Sequence, residues 1–246
     1  MIAADLARAL DPALFAEHAG ITPDPWQAEL LRSSAPRLWL NASRQSGKST
    51  TTALLAMHTA LYLPGSPVLL LSPGLRQSAE LFRTCAGLYR ALGRPISASA
   101  ESSLRLDLDN GSRIVSLPGS EATIRGFSGV RLLAIDEASR VPDDLFMAVL
   151  PMLAVSRGRM VAISTPWGRR GWWFEAGRSA DWERRTIPAT EVSRIPPEAL
   201  AEARTMMGDY WFRQEFLCEF LDAQSQAFTR ADVDRAFEEE VHAWPL

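Results

Sequence analysis

Several things are scarce in this sequence, and each scarcity closes off a class of protein. Only two cysteines occur in 246 residues, Cys85 and Cys218, far apart and without Cys-x-x-Cys spacing. That argues against a disulfide framework or a zinc knuckle and for a reducing compartment. Positive charge is not in excess: the formal net charge is −3, so the chain as a whole is no nucleic-acid coat, although a local basic face is compatible with that total. Long apolar runs are missing too. The longest, Ala53 to Leu63, is interrupted by His58 and Thr59 and falls far short of the ~20 residues that span a bilayer. The opening Met1-Ile-Ala-Ala-Asp-Leu-Ala-Arg places Asp5 and Arg8 where a secretory signal keeps its residues uncharged. A cytoplasmic protein with no membrane partner is expected. Internal repeats and low-complexity tracts are likewise absent.

What is present is enough apolar residue, 47%, for one large core or a large core plus a small appendage. Strand-like and helix-like segments alternate through the first two thirds, which predicts an α/β fold with a mostly parallel central sheet flanked by helices. Short apolar runs at 38–42, 68–72, 132–136 and 160–164 suit strands buried on both faces. Between the second and third, Leu104 to Val115 alternates around Asn110-Gly111, a hairpin signal. A helix from Leu75 to Leu92 ends at Gly93 as its cap. Its Arg76, Arg83 and Arg90 read as a solvated face rather than a DNA track. Beyond Trp167 the pattern breaks into shorter pieces at Pro188 and Pro196-Pro197. The predicted organisation is a core over 1–177, a small lid-like subdomain over 178–229 and an acidic linker over 230–246.

The run Ala42-Ser-Arg-Gln-Ser-Gly-Lys-Ser49 follows the first strand and precedes the first long helix. That is the setting of a phosphate-binding loop, in which successive backbone N–H groups converge at a helix N-terminus. Gly47 supplies the second glycine of such a loop, Lys48 the cation for the β- and γ-phosphates and Ser49 a magnesium ligand, while Ala42 holds the place of the first glycine. Some ninety residues on, the strand Val130 to Ile135 ends in Asp136-Glu137. The first acid is placed to orient magnesium and the second to polarise an attacking water. Gln27, three residues after Asp24, can close a capping box or read an adenine edge. Thr165 emerges after another apolar strand, as a sensor of the γ-phosphate or as an ordinary turn residue.

Taken together, Pro25-Trp26-Gln27, Ser43 to Ser49, Ile124-Arg125-Gly126, Leu133 to Ala138 and Ser164-Thr165-Pro166 resemble the ATPase domain of phage large terminase subunits, an ASCE-type P-loop NTPase. The resemblance covers about residues 20 to 225 and explains Ala42, because that family commonly uses an arginine-bearing loop without the first glycine. It implies that Trp26, Gln27, Ser43, Arg44, Gln45, Ser46, Gly47, Lys48, Ser49 and Thr50 bind ATP, and that Ser49 and Asp136 hold Mg2+. Glu137 and Thr165 then take part in hydrolysis and its coupling to movement. An arginine should stabilise the transition state, either Arg125 acting on a neighbouring subunit's site or Arg44 acting within its own.

Double-stranded DNA, a portal protein and a small terminase subunit are the implied partners, with a monomer alone and a homo-oligomeric ring on the portal, in the cytoplasm of the bacterial host. Large terminases normally continue into an RNase H-like nuclease. The chain stops where that domain would begin, and Asp232, Asp234 and Glu238 to Glu240 cannot form one, so no nuclease activity is expected of it. Seven arginines between Arg157 and Arg185, among Trp167, Trp172 and Trp173, form the densest basic region. Arg169 and Arg170 are the candidates to face DNA or a neighbouring subunit. The rival readings are another P-loop translocase or helicase, and a nucleotide-gated capsid- or portal-binding module without turnover. Glu137 discriminates, because a binding module has no need of a water-polarising acid.

Overall fold

The computed structural model describes residues 2–119 and 126–222. Arg125 and the expected linker over 230–246 lie outside them. Among the described residues eight strands form one sheet: β1 (Arg37–Ala42), β2 (Pro67–Ser72), β3 (Ala98–Glu101), β4 (Arg105–Leu108), β5 (Arg113–Pro118), β6 (Leu132–Asp136), β7 (Arg159–Ser164) and β8 (Glu183–Ile187). The order is β3-β4-β5-β2-β6-β7-β1-β8. From β5 to β8 every neighbouring pair is parallel, and only β3/β4 and β4/β5 are antiparallel. The Asn110-Gly111 turn closes the β4–β5 hairpin as its sequence predicts, with Gly111 at φ 83°.

Each central strand is apolar on both faces, and alternate residues feed two cores. Leu38, Leu40, Val68 and Leu70 face α2 (Pro12–His18), α3 (Pro25–Arg32), α4 (Lys48–Tyr62) and α5 (Leu75–Ala91), which bury Phe15, Leu30, Leu54, Met57, Phe82 and Tyr89. Trp39, Leu69, Leu71 and Ile135 face the opposite way, toward α6 (Asp143–Val149), α7 (Pro151–Ala154) and α8 (Gly171–Ala176). The tryptophan pair in α8 belongs to this second core. Trp173 stacks on Trp39 at 4.7 Å and Trp172 on Phe146 at 3.9 Å. Two of the three indole hydrogens there find backbone acceptors, Trp39 Nε1 on Trp173 O at 3.0 Å and Trp172 Nε1 on Val141 O at 2.9 Å, while Trp173 Nε1 is buried without a partner among the described residues.

The short helix α1 (Ile2–Leu10) lies outside both cores, with no buried residue. β8 lies beyond the boundary expected at 177/178 yet pairs with β1 from Leu38↔Glu183 to Ala42↔Ile187. The main sheet therefore extends to residue 187, because Ile187 is buried in the first core. After it come a single 3-10 turn, Ala189–Glu191, and α9 (Pro197–Glu215), which breaks at Gly208 with φ 76° and ψ 164°.

Gly158, just before β7, illustrates how closely the strand ends pack. A Cβ built there would lie 2.0 Å from Val130 O and 2.8 Å from Leu153 Cδ2. The first of these atoms is backbone and cannot rotate aside. Gly158→Ala should cost about 1–3 kcal/mol, as overpacking does, measured by urea unfolding; a variant as stable as the parent would show that the 153–158 turn withdraws freely from Val130.

Candidate nucleotide site

β1, β6 and β7 run side by side and in register, Asn41 beside Ser164 and Asp136 beside Ile163, so their C-terminal ends deliver three loops to one edge. Ala42 is still a strand residue, fully buried and paired with Ile187. Its backbone is not left-handed, and a methyl group fits, so the absent first glycine removes nothing the loop requires. The tight turns come later, at Gln45 with φ 58° and Gly47 with φ 91°. At Gly47 the positive φ favours glycine, and a Cβ there would also press on two side-chain ends, 2.8 Å from Gln27 Nε2 and 3.0 Å from Arg194 Nη2.

The loop is pinned from outside. Ser43 N donates to Ile187 O and Arg44 N to Glu215 O, both at 3.0 Å, while Ser46 Oγ donates to Ser43 O at 2.8 Å. Among the described residues, none of the N–H groups of residues 45–50 donates to a protein acceptor. Six consecutive donors at the start of a helix, with the helix dipole behind them, make an anion cradle.

Lys48 is the chain's only lysine. Its ammonium is buried and donates to Ala42 O and Ser43 O, each at 2.8 Å. Burial pushes its pKa down, and the carboxylates of Glu137 and Asp136 oppose that. Ser49 Oγ donates to Asp136 Oδ2 at 3.0 Å, joining residues 87 apart in sequence. Burial, reinforced by the neighbouring Glu137, raises the Asp136 carboxyl pKa. Its other oxygen accepts from Glu137 N at 3.0 Å.

Glu137 leaves the strand in a left-handed conformation, φ 50° and ψ 40°, and begins the 3-10 turn Ala138–Arg140. That turn is tied to the end of β7. Ser139 N donates to Ser164 Oγ at 3.1 Å, and Ser164 Oγ donates to Ser139 Oγ at 2.8 Å. Thr165, next in the chain, is buried at the same edge.

Gln27 is buried, with Oε1 accepting from Asp24 N at 2.8 Å and Nε2 donating to Thr51 Oγ1 at 2.9 Å. Both halves of its amide are thus engaged, one completing the capping box of α3 and the other reaching α4 behind the loop. Trp26 is half-buried and lines a cleft of about 330 Å³ with Glu29, Arg185 and Glu191. Thr50 is half-buried on the first turn of α4. Of the two arginines considered for the transition state, Arg44 donates Nε to Glu215 Oε2 at 2.7 Å, a bond that raises its pKa. Arg125 lies outside the described residues.

Two participants carried no sequence signal. Arg194 donates Nη2 to Ser46 O at 2.7 Å and pairs with Asp24 at 3.1 Å, bracing the loop from the segment after β8. Glu215 holds Arg44 from the last residue of α9. Both are brought in by chain that returns to the loop from about 150 residues or more away. Ser139 stands two residues after Glu137, and that proximity was the available clue.

A mostly parallel sheet, an N–H-lined loop before a helix, a lysine and serine at its base and a strand-end acid bonded to the serine define a P-loop NTPase. The chain matches the family model described as terminase large subunit, T4likevirus-type, N-terminal, over residues 39–235. It belongs to that family. It is 26% identical over 258 aligned residues to the terminase large subunit of Thermus virus P23-45, covering 89% of this chain and 53% of that protein, so it spans about half the length of that relative. The large terminase ATPase domain of Thermus phage P74-26 superposes with TM-score 0.75 at 24% identity, over 84% of this chain and 97% of that one. The large terminase of bacteriophage HK97 superposes with TM-score 0.70 at 15% identity, over 87% of this chain and 55% of that one.

The Arg44–Glu215 pair is asymmetric, its arginine side chain 62% exposed and its glutamate 6%. Arg44→Ala leaves a buried carboxylate with only a 3.5 Å bond from Gln214 Nε2, whereas Glu215→Ala leaves an arginine that water still solvates. Urea unfolding without nucleotide should therefore show Arg44→Ala losing about 1–3 kcal/mol and Glu215→Ala clearly less; the reverse order would mean that Glu215 is satisfied by other groups.

Proposed function

We propose that the chain is the ATP-hydrolysing motor domain of a viral DNA-packaging terminase, coupling Mg-ATP hydrolysis to movement of double-stranded DNA into a procapsid. The observation that carries this reading is the Ser49–Asp136 hydrogen bond of 3.0 Å at the mouth of the N–H-lined loop. It sets one hydroxyl and one carboxylate where a divalent cation on a triphosphate would share them. Among the described residues no group of three or more His, Cys, Asp or Glu could hold a metal by itself. Magnesium has no need of such a cage, because it keeps waters and takes phosphate oxygens as ligands. When bound with ATP it neutralises charge building on the β- and γ-phosphates.

The remaining work falls to the chain. The N–H groups of residues 45–50 cradle the phosphates, and the Lys48 ammonium exchanges its two carbonyl acceptors for phosphate oxygens. Glu137, one peptide from Asp136, orients the attacking water and accepts its proton. Ser164 and Thr165 relay the change at that turn into the segment after β7. Trp26 and Gln27 define the purine side, with Gln27 acting as a brace of the loop as much as a reader of the base. Residues 188–222 serve as the lid, their Glu215 holding Arg44 of the loop and their Arg194 bonded to Ser46 O. Arg125 is the arginine that acts on a neighbouring subunit's phosphates, in a ring assembled on a portal with the small terminase subunit, in the host cytoplasm; alone the chain is a monomer.

Steady-state ATP hydrolysis over a wide range of protein concentration tests the scheme. Glu137→Ala should lose about 10²–10⁴-fold in turnover and Arg125→Ala about 10³–10⁵-fold. Specific activity should rise with concentration, and mixing the two silent variants should restore part of it. Concentration-independent turnover with an active Arg125→Ala would transfer the role to Arg44, and an active Glu137→Ala would remove the hydrolytic assignment.

A further inference from the structure

The arginines from the start of β7 onward separate by what holds them. Arg159 donates Nε to Ala35 O at 3.1 Å, and Arg184 donates to Gly177 O at 3.2 Å. Arg178 pairs with Glu175 at 3.8 Å, and Arg185 with Glu29 and Glu183 at 3.5 Å each. Arg169 donates Nε to Phe220 O at 3.0 Å and pairs with Asp222 at 3.7 Å. Of the pair expected to face DNA or a neighbour, Arg169 is thus committed to this chain's own C-terminal segment. Arg170 is not: its side chain makes no ion pair or hydrogen bond among the described residues.

A second free cation stands beside it. The Arg140 guanidinium carbon lies 3.2 Å from the centroid of the Trp167 ring, and that side chain also has no ion pair or hydrogen bond among the described residues. Arg140, Arg170 and Trp167 line one open cleft of about 650 Å³ with Ser139, Asp143 and Gly171. Asp143 also lines the cleft; its Oδ1 accepts from Trp172 N at 2.9 Å and holds the start of α8, and among the described residues it forms no ion pair with Arg140 or Arg170. A guanidinium stacked on an indole is held in one plane with its N–H edge free, a rigid fork that fits phosphate oxygens.

The cleft is joined to the hydrolytic acid by covalent and hydrogen-bonded links. Arg140 N donates to Glu137 O at 2.8 Å and closes the 3-10 turn. Ser139 ties the same turn to Ser164, and Trp167 comes three residues after Ser164. A load on Arg140 acts on one short turn whose other end is Glu137.

We infer that this cleft binds phosphates of the DNA backbone, with Arg140 and Arg170 as its two cations and Trp167 as the platform that orients the first. Its occupancy reaches Glu137 through the turn 137–140, so DNA loading and ATP turnover are linked there. The inference rests on the DNA-motor reading above and assigns a place on the chain to the DNA that reading requires.

The test pairs two readouts on the full chain: anisotropy of a short labelled duplex across a salt series, and ATP turnover with and without unlabelled DNA. In the double variant Arg140→Ala/Arg170→Ala, DNA affinity should fall about tenfold or more and the slope of log affinity against log salt should lessen by about two, one for each phosphate no longer neutralised. In this double variant stimulation of turnover by DNA should disappear, and in Arg170→Ala basal turnover should stay at the parental level while that stimulation falls. Arg170→Ala alone removes an exposed side chain with no partner among the described residues, so it keeps the fold and should lessen the slope by about one. Arg178→Ala, an exposed arginine outside the cleft, should leave slope and stimulation as in the parent. Parental affinity, slope and stimulation in both cleft variants would overturn the inference and leave the motor reading standing. Unchanged DNA affinity with impaired self-association would overturn it in favour of a contact between subunits. A parent chain that neither binds duplex nor responds to it would remove the motor reading and the cleft with it.

Discussion

The site depends on one constraint, the parallel alignment of β1, β6 and β7. Parallel strands in register point all their C-terminal ends to one edge of the sheet, and ligands of open α/β sheets sit outside that edge. Here the loop over 43–47, the turn over 137–140 and the segment after Ser164 all start there. Strands of this kind are buried on both faces, so a one-residue slip would exchange the side chains of one core for those of the other. Leu38 and Leu40 facing α4 while Trp39 faces Trp173 therefore lock the same register that brings Ser49 to Asp136.

Around that edge the polar groups are joined across elements rather than within them. Ser49 bonds Asp136, Ser139 bonds Ser164, Gln27 bonds Thr51, Arg194 bonds Ser46 and Arg44 bonds Glu215. Left-handed backbone at a non-glycine residue costs on the order of 1–3 kcal/mol and persists only where its surroundings impose it. Both Gln45 and Glu137 have that backbone, on either side of the Ser49–Asp136 bond. The bonds that fasten these two turns to β7, β8 and α9 are what hold such geometry in place. They also make the loop, the acid-bearing turn and the end of α9 responsive to one another.

Net charge conceals how the basic residues are distributed. Among the described residues, most arginines from Arg159 onward are neutralised by a nearby carboxylate or held by a carbonyl, and they tie loops and helix ends together. Those without such partners stand out because the chain is slightly acidic overall. Lysine occurs at one position, where a compact ammonium on a flexible stem can reach from loop carbonyls toward a ligand.

The sequence by itself determined the central parallel strands and the β4–β5 hairpin, the phosphate loop and the acid pair. Their signals are local: unbroken apolar runs for parallel strands, Gly-Lys-Ser between a strand and a helix, Asp136-Glu137 at a strand end, Asn110-Gly111 between alternating segments. The missing first glycine was explained at the level of sequence only by the family resemblance; the structure supplies the physical reason, that Ala42 continues a strand and meets no special backbone demand. Tertiary structure alone decided which distant residues close around the loop. That Arg194 and Glu215 reach it, that β8 joins the main sheet beyond the expected boundary, and that Arg169 is held by Phe220 O while Arg140 lies over Trp167 all depend on chain returning from far along the sequence. Periodicity and motif spacing carry no information about such contacts, because a side chain's partner is chosen by where the backbone brings it and not by its neighbours in the chain.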